Sequence, residues 1–412
     1  MIIISLMFFA GAFIAYCAQI PVKQIMNHYS YDVLVILIIM ELFTGLIAQT
    51  GIMQKAAVKI VALSKGKRKP CLIMFGVMML LISACLNNIT AVMMILPVIF
   101  VFMKAIDVDE NFICIFFAAI LALSNTGGAA SPIGDFPAIV IMTSGITTFL
   151  NYLWRAAFLF ALTSVVLIFI WSKKLRDNDN DISLRNFAIM NLKSQYRNFK
   201  IRKDILAGLV IIFALMFASW SFVPPKILPP EVIAVLGYSA AMLFCVIKGM
   251  KINTLMDLKS LLTIASFLFF AEAVSQTGLL KLMAAYLQTN INNPKLLVSV
   301  IMIITSIVSG IFSAGPAAAA MMPVIIEICN GTLKSNSDWI AVSYAAAICA
   351  GSSLFMWSAT AGFILSNKIN EAHIENKIGG KLNWGVKNYF AYGLVNYFVQ
   401  MLIALMITNI VI

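Results

Sequence analysis

Apolar runs of about twenty residues, separated by short polar or basic stretches, follow one another along the whole chain. A helix needs roughly 20 apolar residues to cross a hydrocarbon core of about 30 Å. The pattern therefore predicts spanning helices over 2–20, 32–50, 150–171, 204–222, 231–247, 258–277 and 388–411. Two more stretches, 112–147 and 339–367, have the length of a span but are interrupted. The first interruption, Ser124 to Pro137 (SNTGGAASPIGDFP), sets small, polar and helix-breaking residues and one acid between two half-length apolar segments. Irregular backbone survives at membrane depth only where protein buries it or where it lines a polar cavity, so such a break marks the seat of an ion or substrate.

Residues 70–105 and 296–328 follow another plan. An apolar arm from Pro70 to Leu86 leads to a polar tip (Asn87, Asn88, Thr90) and a second arm with Pro97, each arm short of a full span. The second segment repeats this around Ser313, Gly315 and Pro316. Read as re-entrant hairpins, the two leave 23 basic residues on one membrane face and 6 on the other. If 70–105 crossed instead, the two most basic loops, 51–70 and 172–203, would lie on opposite sides, against the positive-inside rule. Hairpins are expected, with a cytoplasmic N-terminus and an outer C-terminus.

An offset of 226 to 227 residues recurs: Gln49-Thr50-Gly51 matches Gln276-Thr277-Gly278, Pro97 matches Pro323, and the break around Asn125 falls on that around Ser352. Five crossings separate equivalent points, and an odd number inverts the second copy. The expected fold is an all-α polytopic membrane protein with inverted-topology repeats, about 9 transmembrane segments (two interrupted) and two re-entrant hairpins. Repeat 1 covers 1–171, a cytoplasmic linker 172–203 and repeat 2 204–412, the second repeat having 204–222 as an extra helix. After each QTG, 52–64 and 279–290 read as amphipathic segments lying along the membrane, or as plain polar linkers.

Composition agrees: 62% of residues are hydrophobic and 11% charged, against about 25% charged in soluble domains. The net charge of +12 lies in loops between apolar runs, which fits topology rather than nucleic acid. The seven cysteines have no metal-ligand or CxxC spacing. The first run lacks the basic start and cleavage site of a signal peptide and reads as a retained helix. There is no GxxxxGK[ST] phosphate loop, which argues against an ATP-driven pump, and no enzymatic activity is expected.

The chemistry concentrates at two places. Asn87, Asn88 and Thr90 at the first tip combine with Ser124, Asn125, Thr126 and Gly127 in the first break, both dense in oxygens; half-helix ends there could hold a cation or an anion. Asp135 is an acid at membrane depth, and it could equally be the N-cap of the second half-helix. Glu41 and Glu272 lie mid-span, where a charge costs roughly 2.5–3.5 kcal/mol; they read as proton relays or as hydrogen-bonded packing residues. The second repeat offers only Ser313 at its tip and Ser352, Ser353 and Thr360 in its break, without Asn or Asp; small-residue packing is the plainer account. Arg155 reads as an interfacial anchor, and His28 and His373 as loop residues.

These residues carry a likeness. NTGGAASPIGD resembles the N-x-G-G-x-x-S/T-x-x-G-D signature of the arsenite permease and NhaD-type sodium/proton antiporter branch of the ion transporter superfamily. NNITAVMMILP is similar to the hairpin motif of the dicarboxylate/sodium symporter relatives. The resemblance implies a scaffold, a mobile transport part moving like an elevator, a homodimer, and Asn87, Asn88, Thr90, Ser124, Asn125, Thr126 and Asp135 near the ion and substrate. It also implies Na⁺ or H⁺ as coupling ions, no other cofactor, and a prokaryotic inner membrane. The expected function is sodium(cation)/proton antiport; a carrier of citrate, dicarboxylate or arsenite is the alternative, and a non-transporting membrane scaffold a third.

Overall fold

Glycine decides where the chain turns at two equivalent places. In the computed structural model Gly51 and Gly278 adopt left-handed backbone (φ 78° and 77°), and each is preceded by a threonine whose hydroxyl donates to the carbonyl three residues back, at 2.7 Å in both cases. A left-handed turn without Cβ strain ends one helix and starts the next at a sharp angle. The QTG match is therefore a matched corner. The structure describes residues 2–105, 109–175, 182–197, 201–252, 258–331, 333–359, 361–372 and 384–412. Thr360 and His373 lie outside the described residues.

Among these residues there are nineteen α-helices. The first half holds α1 (Ile2–Cys17), α2 (Val22–His28), α3 (Tyr31–Gln49), α4 (Ile52–Leu63), α5 (Arg68–Ser83), α6 (Asn88–Ala105), α7 (Glu110–Ala129), α8 (Phe136–Ser144) and α9 (Phe149–Lys174). After α10 (Ile182–Gln195) and α11 (Lys203–Phe222) come α12 (Pro230–Ile247), α13 (Leu258–Gln276), α14 (Leu279–Asn290), α15 (Pro294–Phe312), α16 (Ala314–Asn330), α17 (Ser337–Ser352), α18 (Gly362–Glu371) and α19 (Val386–Val411). Seven helices are individually long and apolar enough to cross a membrane, and three bent pairs add to them. The chain is a multi-pass integral membrane protein.

The second copy follows the first in packing as well as in order. α1 lies against α13 as α12 lies against α3, and α5 packs on α7 as α15 packs on α17. The two latter contacts share a device. A Cβ on Gly127 would strike the carbonyl oxygen of Leu80, and one on Gly351 that of Ser306, so glycine lets both hairpin arms press against the broken helices. Close approach of this kind is how helices gain contact where lipid supplies no hydrophobic drive.

α7 is the centre of the molecule, buried from Phe112 to Ala129. Asp109 caps it by accepting from Phe112 N–H at 2.8 Å and pairs with Arg68 of α5 at 3.0 Å, which fixes the base of the first hairpin beside the base of α7. α11 and α12 instead expose large apolar side chains such as Val210, Leu215, Leu236 and Leu243, the surface a lipid-facing helix presents.

Three expectations change. The breaks are narrower than the sequence implies: α7 continues through Ser124–Gly128 to Ala129, leaving 130–135, and α17 continues through Ser352, with α18 starting at Gly362. Packing on α5 and α15 rewards small residues there while keeping them helical. α15 has 19 residues, the length of a span, although α16 follows at once, the chain reversing at Ser313 with φ 84°. The linker, to which the sequence pattern assigned no helix, contains α10, whose Arg185 aliphatic stem lies against Gly66.

Candidate functional site

The tip of the first hairpin is shaped by Asn87. Its Oδ1 accepts from the N–H groups of Ile89 (2.9 Å) and Thr90 (3.4 Å), capping α6, while its own N–H donates to Thr44 of α3 at 3.4 Å. Asn87 thus ties the tip together, and Asn88 one residue on points to the break. Asn88 Nδ2 donates to Asp135 Oδ2 at 3.1 Å, and Asp135 Oδ1 accepts from Phe136 N–H at 2.9 Å as the N-cap of α8. The carboxylate is half-buried. Asn88 is 1% exposed, yet its Oδ1 has no hydrogen-bond partner among the described residues. A buried amide oxygen left so costs free energy in any protein and more in a membrane. Gly128 makes the meeting possible, since a Cβ there would stand 2.8 Å from both Asn88 Nδ2 and Asp135 Cβ.

A second cluster joins the repeats. Asn125 Nδ2 lies 3.3 Å from Ser352 Oγ and 3.5 Å from Ser353 Oγ, and Asn125 and Ser352 are equivalent residues of the two copies. Gln400 of α19 donates to Ser353 Oγ at 3.0 Å. Each break is also held by a tyrosine of the following span: Tyr152 Oη donates to Ala129 O, and Tyr389 Oη to Ser353 O, both at 2.8 Å. The carbonyls released where a helix ends need such donors.

The remaining predicted residues fall into place around these clusters. Ser124 exchanges a hydrogen bond with Ser83 of α5 (3.0 Å), Thr126 accepts from Ser164 of α9 (3.1 Å), and Gly127 packs on α5. Ser313 forms the second tip, and Gly315 beside it rests on the Phe136 ring, so the second hairpin touches the start of α8. Thr90 is half-buried at the first tip. Glu272 accepts from Gln276 at 2.6 Å and lines a cavity of about 510 Å³ with His28, Asp32, Lys281 and Glu327. The cavity runs between α3 and α13 on one side and α8 and α16 on the other. Glu41 is half-buried within α3. Arg155 pairs with Asp338 of α17 at 3.2 Å and stacks on Trp154, which makes it a tie between α9 and α17.

Sequence reasoning passed over Gln400, Tyr152 and Tyr389. The signal for Gln400 was Asn396 and Gln400, four residues apart on one face of an apolar helix.

An all-helical, multi-pass membrane protein with two hairpins meeting two broken helices belongs to the class of transporters built on inverted repeats. The chain belongs to the citrate transporter family, whose profile it matches over residues 1–349 and again over 220–412. An uncharacterized transporter of Mycobacterium tuberculosis is 23% identical over 321 residues, 77% of this chain and 73% of its own. A 46 kDa membrane protein of Mycobacterium leprae is 25% identical over 72% of this chain and 68% of its own. The human P protein is 27% identical over a shorter stretch, 29% of this chain and 14% of its own. Among solved structures, the YdaH transporter of Alcanivorax borkumensis shares the fold, with a TM-score of 0.56 at 14% identity over 94% of this chain and 86% of that one. The chain is a membrane transporter.

Proposed function

We propose that the protein is an ion-coupled secondary transporter that exchanges a cation, most simply Na⁺, for H⁺ at Asp135. The observation that carries this reading is the Asn88–Asp135 pair: a half-buried carboxylate beside a buried amide oxygen with no hydrogen-bond partner, where a hairpin tip meets a helix break. A cation placed there gains a charge and a neutral oxygen; a proton taken by Asp135 replaces it. Competition for one carboxylate is the minimum device for antiport. In proteoliposomes, an imposed Na⁺ gradient should drive proton movement that Asp135→Asn abolishes; unchanged exchange in the variant would sink the assignment.

The 510 Å³ cavity supports an elevator-type motion, because it opens along the seam where α3 and α13, which would belong to the scaffold, pack against α8 and α16, which would belong to the transport part. Under this reading the residue ranges 1–171 and 204–412 are the two repeats, the basic face is cytoplasmic, and Glu272 serves proton passage along the cavity wall. A homodimer through the exposed faces of α11 and α12 belongs to the same proposal, and the mass of the detergent-solubilised particle tests it.

A second reading, a carrier of citrate-like anions, draws on the family match and on the start of α16. Ser313 supplies no side-chain cap, which leaves the first N–H groups of α16 available to a carboxylate beside Phe136. Uptake of labelled citrate without Na⁺/H⁺ exchange would favour it.

A further inference from the structure

α10 is too short to cross a membrane, yet both of its faces carry apolar side chains. Arg185, Ala188 and Leu192 form the buried face, which packs on α4 and α6. Leu184, Phe187 and Met190 recur every three residues on the opposite side, and Phe187 and Met190 are 64% and 70% exposed. Side chains of this kind on α11 and α12 meet lipid because those helices span the bilayer. A helix of 14 residues rises only about 21 Å, short of a ~30 Å hydrocarbon core. The stripe on α10 therefore lies along the membrane edge or stands in water.

Its neighbours set the level. α9 ends seven residues before α10 begins, and its last turn carries Lys173 and Lys174, whose ammonium groups sit over the rings of Phe169 (4.3 Å) and Trp171 (5.0 Å). Lysines that lay their stems on apolar surface and keep their heads in water mark the headgroup layer. α4, the other helix beneath α10, joins the end of the α3 span to the base of the first hairpin. The surface is also basic. Lys59 of α4, Lys65 in the turn after it, Lys193 of α10 and Arg197 are all exposed, and neither helix contains an acidic residue. Residues 172–203 as a whole hold nine basic residues against three acidic ones.

We propose that α10 and α4 form a docking surface for anionic phospholipid in the adjoining leaflet. Leu184, Phe187 and Met190 enter the acyl layer, while Lys59, Lys65 and Lys193 lie among the phosphates. An apolar stripe bordered by lysines is the pattern of a helix held in the interface, and each basic residue near an anionic surface adds to the attraction. Charge argues against a second copy as the cover, since it would bring the same lysines to the contact in a chain of net charge +12. The surface also reaches the transport elements, because α10 packs on α6, the hairpin arm that starts at Asn88. Leaflet charge thereby acts on the base of the first hairpin. The inference is independent of which ion or anion the protein carries.

The test places the fluorophore NBD at Phe187→Cys in the full-length protein, with the exposed Cys17 and Cys85 replaced by serine. The protein is reconstituted in phosphatidylcholine vesicles with a minor fraction of phosphatidylglycerol, and an acyl-chain nitroxide quencher is carried by one lipid or the other at equal mole fraction. Quenching by the nitroxide and protection from aqueous iodide are expected, with quenching about twofold stronger when phosphatidylglycerol carries the nitroxide. Lys59→Gln, Lys65→Gln and Lys193→Gln together should abolish that preference and keep the quenching, and high salt should weaken the preference in the same way. Should Phe187→Cys fail to fold, Met190→Cys is read by the same criteria. Equal quenching from the two lipids would overturn the anionic preference. Quenching by iodide alone would put the stripe in water, and quenching by neither reagent would mean a protein cover; either result overturns the lipid docking surface.

Discussion

One carboxylate oxygen of Asp135 holds Phe136 N–H and the other accepts from Asn88, so a single residue both starts α8 and faces the hairpin tip. The two readings open from sequence, cap or ion ligand, are compatible in one geometry. Gly128 is the residue that permits it. Gly128→Ala is expected to push Asn88 and Asp135 apart and to lower transport by tenfold or more in vesicles while the protein still reaches the membrane; wild-type rates would remove Gly128 from the account. The tyrosines are a separate matter of stability. Tyr152→Phe and Tyr389→Phe each lose one buried hydrogen bond, which predicts a loss of about 1 kcal/mol apiece by denaturant unfolding. Asn88 and Asp135 were legible because their motifs are local. Gln400 and Tyr389 were not, since each acts on a segment 36 to 47 residues away and sits in an otherwise apolar helix whose register against α17 only packing defines.

Helix and corner positions could be read closely, as the agreement between the expected 204–222 and 258–277 and the observed α11 and α13 illustrates. Apolar length and flanking charge govern those ends, and both are written in the sequence. The ends of α7 and α17 are governed instead by close contact with α5 and α15, so glycine and serine there signal packing rather than unwinding. α10 was missed because its mixed composition has no strong period; its packing on α4 and α6 gives it a place. At this scale the repeat makes a paired prediction. Gly51→Ala and Gly278→Ala both force a Cβ into left-handed backbone, so each should cost about 1–2 kcal/mol. Similar losses in melting temperature are expected for the two, and a loss in only one would mean that the corners are not equivalent.

For the whole molecule, the basic residues and the cavity lie at opposite membrane faces in the proposed topology. α8 and α16 open their far ends to the cavity, while α4, α10 and the α12–α13 connection carry the lysines and arginines. A single cysteine at Thr143, in a background where the exposed Cys17 and Cys85 are replaced by serine, should react with a membrane-impermeant thiol reagent added outside whole cells, and one at Lys193 should not. The reverse pattern would invert the topology. In the proposed elevator-type cycle, cation binding links this scale back to the first, because hairpins and broken helices moving past α3 and α13 would carry Asp135 with them.

Proton release on Na⁺ addition tests the central claim most directly. Purified protein in weakly buffered detergent solution, at a pH where Asp135 holds its proton, is expected to release close to one proton per Na⁺ bound there. Apparent Na⁺ affinity should rise with pH until the carboxyl is fully ionised. Asp135→Asn should release none. Na⁺ binding by wild type without proton release, or undiminished release from Asp135→Asn, would contradict exchange at Asp135.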